Sequence, residues 1–321
     1  MFVKGANYGW CAHVGDYRKP EAVSSLEKLR ETGCEWISLS FSVKQEKVFS
    51  TKIYFDFKLT AKDRDLEFTI NKAHELGMKV CLKPVVDPLD NTWRGQIDFA
   101  TPMLGADIYW DEWFDSYTAF MCHYAEMAEY TKCEMLCVGC ELMIAERKEQ
   151  HWRKVVSEVR KLYSGPLVYN ANHSSEEGVK WFDAVDYVGT SGYYSVAEVP
   201  GETEENMLKA WQPVKERIKA FSEKWGKPVI FVEIGCFTIK GTAVTPGEWR
   251  WIKDAEYDED EPANYCHSFL KTFADEPWFA GFFWWDWSTI LPADYDPKTD
   301  KSANFYEKKI GEVLSEGYRK L

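Results

Sequence analysis

The feature that most constrains the fold is a regular alternation of short apolar runs and longer amphipathic segments along the chain. Eight runs have the length and residue types of buried strands: residues 2–8, 36–43, 79–86, 134–140, 167–170, 187–193, 229–233 and 279–285. Eight segments with apolar residues at helical spacing follow them in turn: residues 19–32, 61–76, 111–130, 147–163, 175–182, 204–225, 262–273 and 304–318. Alternating strands and helices predict a parallel sheet.

Eight strand–helix repeats predict a closed (β/α)8 barrel, the TIM barrel, formed as a single catalytic domain by residues 1–321. An open doubly wound sheet is the rival, and it requires a glycine-rich phosphate loop after the first strand. Residues 5–9, Gly-Ala-Asn-Tyr-Gly, are not such a loop. In a TIM barrel the active site lies at the carboxyl ends of the strands.

Two glutamates stand at those ends. Glu141 follows the fourth predicted strand, and Glu233 ends the seventh. Strict alternation of side chains predicts that Glu141 shares a face with Gly139 and Cys137, and Glu233 with Phe231 and Val229. Burying a carboxylate is costly, so two carboxylates at strand ends indicate either stabilising partners or a chemical role. The alternative is that each glutamate is a solvated or salt-bridged loop residue.

Paired carboxylates across a barrel mouth indicate glycosidic-bond chemistry. We expect them to approach to about 5–5.5 Å, the separation found in retaining glycosidases. One would be a protonated general acid and the other an ionised nucleophile. Aromatic residues make up 16% of the chain, with 15 tryptophans and 17 tyrosines. These rings can stack on the apolar face of a sugar, which favours a carbohydrate-active enzyme.

Composition argues against other classes of function. The net charge of −13 disfavours nucleic acid or anionic membrane as a partner. No apolar stretch reaches the length of a membrane span, and no signal peptide is visible, which predicts a cytoplasmic protein, or a secreted one if a signal was removed. Nine cysteines in apolar contexts indicate reduced thiols. Without HExxH or His/Cys zinc spacing, we expect no metal and no cofactor. Nothing indicates an oligomeric state.

Several motifs, in order along nearly the whole chain, resemble glycoside hydrolase family 113, the clan-A β-mannanases. The segment 137–142, Cys-Val-Gly-Cys-Glu-Leu, is similar to the acid/base motif of that family. The other matching segments are residues 82–84 with 93–95, 169–172, 192–194, 228–235, and 278–281 with 283–285.

The resemblance implies roles for individual residues. Glu141 would be the acid/base and Glu233 the nucleophile. Tyr193 or Tyr194 would hydrogen-bond the nucleophile, and Trp285 would form the floor of the subsite for the reacting sugar. Arg94 would bind sugar hydroxyls or an acidic residue such as Asp87. The candidate substrate-binding residues are therefore Trp10, Trp93, Arg94, Asn172, His173, Tyr193, Tyr194 and Trp285.

Three positions depart from the family pattern. Cys140 stands where clan-A enzymes often have asparagine, His173 where the family often has tryptophan, and Ser191 where it often has an acidic residue. These changes leave both glutamates in place and affect the expected choice of sugar.

Three hypotheses follow. The first is a retaining β-glycoside hydrolase with two catalytic glutamates, acting on β-1,4-mannan or manno-oligosaccharides, or on a different sugar. The second is a catalytically weak sugar-binding barrel. The third, a metal-dependent or phosphate-binding barrel, would need His/Asp clusters or a glycine-rich loop, and neither is visible.

Overall fold

The computed structural model of the protein describes residues 2–100 and 107–321. Within these residues the strands are β1 Val3–Tyr8, β2 Trp36–Gln45, β3 Ile53–Tyr54, β4 Lys79–Pro88, β5 Met135–Cys140, β6 Leu167–Ala171, β7 Tyr187–Ser191, β8 Val229–Gly235 and β9 Phe279–Trp287. The α-helices are α1 Pro20–Glu31, α2 Asp63–Glu75, α3 Ile108–Tyr130, α4 Glu149–Leu162, α5 Glu204–Trp225, α6 Asp260–Phe273 and α7 Lys309–Lys320.

Eight of the strands form a closed parallel barrel. Their order around the ring is β1-β9-β8-β7-β6-β5-β4-β2, and pairing of β1 with β2 closes it. The short strand β3 is an addition that pairs antiparallel with the end of β2. The predicted TIM barrel is therefore confirmed, with each predicted strand run overlapping one barrel strand.

Local sequence signals explain where individual helices begin, end and pack. Thr203 caps α5, because its side chain accepts a hydrogen bond from the backbone N–H of Asn206, and Gly226 ends that helix with a left-handed φ of 61°. In α4 the buried residues Trp152, Val155 and Val159 recur at intervals of three and four. They form the stripe that packs the helix on the barrel.

One predicted helix is wrong. Residues 175–182 form two short 3₁₀ turns, Glu176–Gly178 and Phe182–Ala184, instead of an α-helix. The side chain of Glu176 is turned inward, where its carboxylate accepts hydrogen bonds from Thr190 and Arg217. These tertiary contacts hold the segment in a loop although its local sequence favours a helix.

The barrel interior changes character from bottom to top. At the bottom the inward-facing side chains form an apolar cluster: Val3, Trp36, Cys81, Met135, Cys137, Val168, Ile230, Val232 and Phe283. Towards the carboxyl ends the buried side chains become polar, as at Asn7, Ser40 and Lys83. The mouth of the barrel is therefore built for polar chemistry. No helix in the described ranges is long and apolar enough to cross a membrane.

Candidate active site

A bulge at the end of β5 places Glu141 in the mouth. The register between β5 and β6 shifts between Cys137 and Cys140. A Cβ added to Gly139 would meet the rings of Tyr169 and Trp152, outside the barrel lumen. The predicted shared face of Gly139 and Glu141 is therefore wrong, because the extra residue in the bulge reverses the alternation. Glu141 follows with a left-handed φ of 52°.

A second irregularity places Glu233. The pairing of β8 shifts register against both β7 and β9 near this residue. Ile230 and Val232 belong to the apolar cluster of the lumen, whereas Phe231 packs against Phe269 and Phe273 of α6. The predicted common face of Phe231 and Glu233 is also wrong, for the same reason.

Glu233 is a carboxylate surrounded by hydrogen-bond donors. Its Oε1 accepts from Lys83 Nζ, from Asn170 Nδ2 at 3.1 Å and from the Cys140 thiol at 3.3 Å. Its Oε2 accepts from the Tyr193 hydroxyl at 3.0 Å. The residue is only 4% exposed. Four donors on one buried carboxylate favour its ionised form.

The positive charges around Glu233 also favour its ionised form. Burial alone would raise the pKa of this carboxyl, but the positive charges of Lys83 and Arg94 outweigh burial and hold the pKa below its ordinary value. Glu233 therefore remains a carboxylate at neutral pH, in the charge state that a nucleophile requires.

Glu141 has fewer and different partners. Its Oε2 forms an ion pair with Arg94 Nη2 at 2.9 Å, and its Oε1 accepts from the Ser191 hydroxyl at 2.7 Å. The backbone N–H of Glu141 donates to the carbonyl of Asn170 at 2.7 Å. Arg94 therefore binds the glutamate directly, and Asp87 pairs with Lys44 at 3.0 Å instead.

The two glutamates belong to one connected network. Asn170 binds the backbone of Glu141 through its carbonyl and the carboxylate of Glu233 through its side-chain amide. The Cys140 sulfur accepts from Asn170 Nδ2 at 3.3 Å and from Arg94 Nη2 at 3.7 Å, while its thiol donates to Glu233. The two glutamates are therefore linked by hydrogen bonds through Asn170, Cys140 and Arg94.

Tryptophans line one side of the mouth. The rings of Trp10 and Trp285 lie 5.8 Å apart, Arg94 lies over Trp10, and Lys83 Nζ is 5.7 Å from the centre of the Trp285 ring. Trp284 is fully buried on the opposite face of β9. Trp93 is 37% exposed beside this group, where its ring folds over Gly95.

Of the two predicted tyrosines after β7, Tyr193 contacts Glu233 and Tyr194 does not. His173 lies between Tyr193 and Tyr194, with ring centroids 6.1 and 5.8 Å away. Burial lowers the pKa of His173, so its imidazole is neutral at pH 7. Tyr193 reaches Glu233, whereas the Tyr194 hydroxyl turns away from it and donates to Glu176.

Unpaired polar atoms remain at the mouth. His173 Nδ1, Asn172 Oδ1, Asn170 Oδ1 and Arg94 Nε are buried and have no hydrogen-bond partner in the described part of the chain. Buried polar atoms are normally paired. These four atoms are therefore candidates for contact with a polyhydroxylated ligand.

The sequence interpretation assigned no role to Lys83 or Asn170. A signal for Lys83 was present, because a lysine in the middle of a buried apolar strand requires a partner. Asn170 carried no comparable signal, since an asparagine at a strand end is common in loops. Among the residues that the structure describes, no group of three or more His, Cys, Asp or Glu could hold a metal ion.

A parallel eight-stranded barrel with two buried glutamates at its mouth is the arrangement of a glycoside hydrolase, an enzyme that acts on carbohydrate. Comparison with protein-family models matches residues 6–308 to Glycoside Hydrolase Family 113. The chain belongs to this family, as the motifs had indicated, and it is a glycoside hydrolase.

Solved structures agree with this assignment. A GH113 β-1,4-mannanase in a complex superposes with a TM-score of 0.91 at 33% identity, with 100% of each chain covered. The GH113 β-mannanase AaManA from Alicyclobacillus acidocaldarius, in complex with ManMIm, gives 0.89 and 33%, covering 99% of this chain and 97% of that one. A Faecalibacterium prausnitzii β-glucuronidase, 13% identical with a TM-score of 0.65, shares the fold alone. No curated protein matches the chain.

Proposed function

We propose that the protein hydrolyses β-1,4-mannosidic bonds in mannan or manno-oligosaccharides, with retention of anomeric configuration. The observation that carries the mechanism is the difference between the two glutamates. Glu233 accepts from four donors, including a buried lysine, whereas Glu141 contacts Arg94 and Ser191. The choice of sugar is supported by the GH113 mannanase structures, whose chains align with 99–100% of this one.

The reaction would proceed by double displacement. Glu233 attacks the anomeric carbon while Glu141 donates a proton to the departing glycosidic oxygen, and a glycosyl–enzyme ester forms. Glu141, now a carboxylate, removes a proton from water, which attacks the same carbon and releases Glu233. Tyr193 would hold Glu233 in line through its hydroxyl, 3.0 Å from Oε2.

The test is product analysis with site-directed variants. Proton NMR of the wild-type reaction on manno-, cello- and xylo-oligosaccharides should show release of reducing ends of manno-oligosaccharides with the β configuration first. Glu233→Ala and Glu141→Ala should each lose about 10²–10⁴-fold in kcat. With an activated aryl β-mannoside, azide should give the β-mannosyl azide from Glu141→Ala, where it attacks the glycosyl–enzyme ester, and the α-mannosyl azide from Glu233→Ala, where it displaces the aryl group directly. Glu205→Ala, on the exposed face of α5, is the matched control.

Each alternative outcome has a clear meaning. Initial release of the α anomer would exclude the double-displacement mechanism. Binding of manno-oligosaccharides without any reducing ends would favour the catalytically weak sugar-binding barrel. Normal turnover by Glu233→Ala would show that the nucleophile lies elsewhere.

A further inference from the structure

One buried carboxylate near the mouth has no part in the chemistry described above. Glu176 lies in the loop after β6 and is 1% exposed. Its Oε1 accepts hydrogen bonds from Thr190 Oγ1 at 2.9 Å and from the Tyr194 hydroxyl, and its Oε2 accepts from Arg217 Nη1 at 2.9 Å. These donors belong to β7, to the loop after β7 and to α5. A buried carboxylate that is paired on both oxygens in this way fixes the groups around it.

The bond between Tyr194 and Glu176 holds one end of a short segment that carries Tyr193. At the other end, the backbone N–H of Gly192 donates to the backbone carbonyl of Glu233 at 2.6 Å. Between these two ties, the Tyr193 hydroxyl donates to Glu233 Oε2 at 3.0 Å. Tyr193 and Tyr194 share a peptide bond, so releasing the side chain of Tyr194 allows the ring of Tyr193 to move away from the carboxylate.

A second contact links Glu176 to Tyr193. His173 lies in the same loop as Glu176, and its imidazole packs between the rings of Tyr193 and Tyr194. Because the contacts of Glu176 fix this loop, they also fix the imidazole, which limits the movement of the Tyr193 ring. Glu176 therefore acts on Tyr193 from two sides, through Tyr194 and through His173.

We propose that Glu176 is a positioning residue for the reaction at Glu233. By holding Tyr194 and the loop of His173, it keeps the hydroxyl of Tyr193 on the nucleophile. Glu176 itself contacts no reacting atom. This inference rests on the proposed function, because that function makes Glu233 the nucleophile, but it does not depend on which sugar is cleaved.

The first test is the pH profile of Tyr194→Phe, which keeps the ring and removes the hydroxyl that binds Glu176. Tyr193 should then donate less to Glu233, and a carboxylate that loses a donor is protonated at higher pH. We expect the acidic limb of the kcat/KM profile to move up by about 0.5 pH unit and kcat to fall about threefold, with KM changed by less than about twofold. Tyr193→Phe, which removes the donor itself, should move the limb by about one pH unit. The effect of Tyr194→Phe is smaller because the Tyr265 hydroxyl still holds the backbone of the segment.

The double variant separates positioning from a merely structural role. If Tyr194 acts through Tyr193, adding Tyr194→Phe to Tyr193→Phe should shift the limb no further, because the donor is already absent. Glu176→Ala should behave like Tyr194→Phe. Glu176→Gln keeps a hydrogen-bonding partner for the Tyr194 hydroxyl, so it should recover most of the wild-type profile.

The matched control removes a different hydroxyl from the same carboxylate oxygen. Thr190→Val should lower the urea midpoint but leave kcat and the acidic limb unchanged, because Tyr194 keeps its bond to Glu176. The other ionisable groups around Glu233 are the same in every variant: Lys83, Arg94, Cys140, Glu141 and His173. Equal shifts for Thr190→Val and Tyr194→Phe, or a further shift in the double variant, would overturn the proposal.

Carbon-13 NMR of the Glu233 carboxyl, assigned with Glu233→Gln, follows the same protonation without turnover. A titration that moves in Tyr194→Phe and not in Thr190→Val would support the positioning role even if the protein hydrolysed no β-glycoside, an outcome that would contradict the proposed function alone. Hydrolysis that is lost in Glu233→Ala, combined with an unmoved titration in Tyr194→Phe, would overturn the positioning role alone.

Discussion

At the scale of single residues, the candidate active site contains a lysine, Lys83, that is wholly inaccessible to solvent. Lys83 donates to Glu233 from inside the barrel, and their charges stabilise each other in a place where either alone would be costly. Lys83→Met would leave a buried carboxylate without its cation. We expect the pKa of Glu233 to rise and the acidic limb of the kcat/KM profile to move to higher pH.

The same substitution predicts a dependence of stability on pH. In the wild type the pKa of Glu233 is lowered on folding, so this pair stabilises the protein above the pKa of the unfolded carboxyl and less as the pH falls. In Lys83→Met the carboxylate destabilises the fold increasingly as the pH rises. Urea unfolding should therefore show a loss of about 3–5 kcal/mol at pH 8 and a smaller loss at pH 5. Lys44→Met breaks the more exposed ion pair with Asp87. It should lower the free energy of unfolding by less than about 1 kcal/mol at both pH values. Equal losses for the two variants would be inconsistent with the buried pair.

At the scale of elements, the strands could be predicted from the sequence, but the directions of their last side chains could not. Apolar runs identify a strand because burial requires them, and their carboxyl ends identify the mouth. A bulge depends on pairing with neighbouring strands, which a single run does not encode. For this reason the expected faces of Glu141 and Glu233 were wrong although both residues lie at the mouth. Strict alternation would direct Cys140 away from the face of Glu141, whereas in the structure its thiol donates to Glu233.

The loop that follows Glu141 is held by a second buried acid. The backbone N–H of Leu142 donates to the Tyr169 hydroxyl at 3.2 Å, and that hydroxyl donates to Glu146 at 3.1 Å. Burial raises the pKa of Glu146 to about 8, above the value of an unfolded glutamate. The wild type therefore loses stability as the pH rises from about 4.5 towards 8, because the unfolded chain releases this proton first.

Glu146→Gln tests this interpretation. A neutral amide has no proton to lose, so the stability of the variant relative to the wild type should increase between about pH 5 and 8 and then level off. Urea unfolding at pH 5, 7 and 9 measures the difference. Glu177→Gln, at an exposed position of the loop after β6, should show no such trend. A constant difference between Glu146→Gln and wild type at the three pH values would contradict the assigned role of Glu146.

At the scale of the whole molecule, the eightfold alternation predicts a closed ring, but closure itself is a contact between the two ends of the chain. The first strand pairs with the last, and the hydroxyl of Tyr318 in α7 donates to the carbonyl of Gly5 in β1 at 2.8 Å. The periodicity of the sequence predicts the number of strands, but it does not show how closely the first and last strands pack at the seam between β1 and β9. At one glycine of β9 the backbones of these two strands pack directly on each other.

That glycine gives the prediction for the barrel as a whole. Gly281 in β9 has a φ of 126°, and an added Cβ would lie 2.2 Å from the carbonyl oxygen and 2.4 Å from the nitrogen of Val3. Neither backbone atom can move without opening the seam, so Gly281→Ala should lower the free energy of unfolding by about 3 kcal/mol or more. Gly77 also has a positive φ, of 71°, but its Cβ position is open, so Gly77→Ala should lose only about 1–2 kcal/mol from backbone strain. Urea unfolding of both variants distinguishes a clash at the seam from strain alone. Equal losses of unfolding free energy in Gly281→Ala and Gly77→Ala would show that β1 and β9 can move apart at little cost.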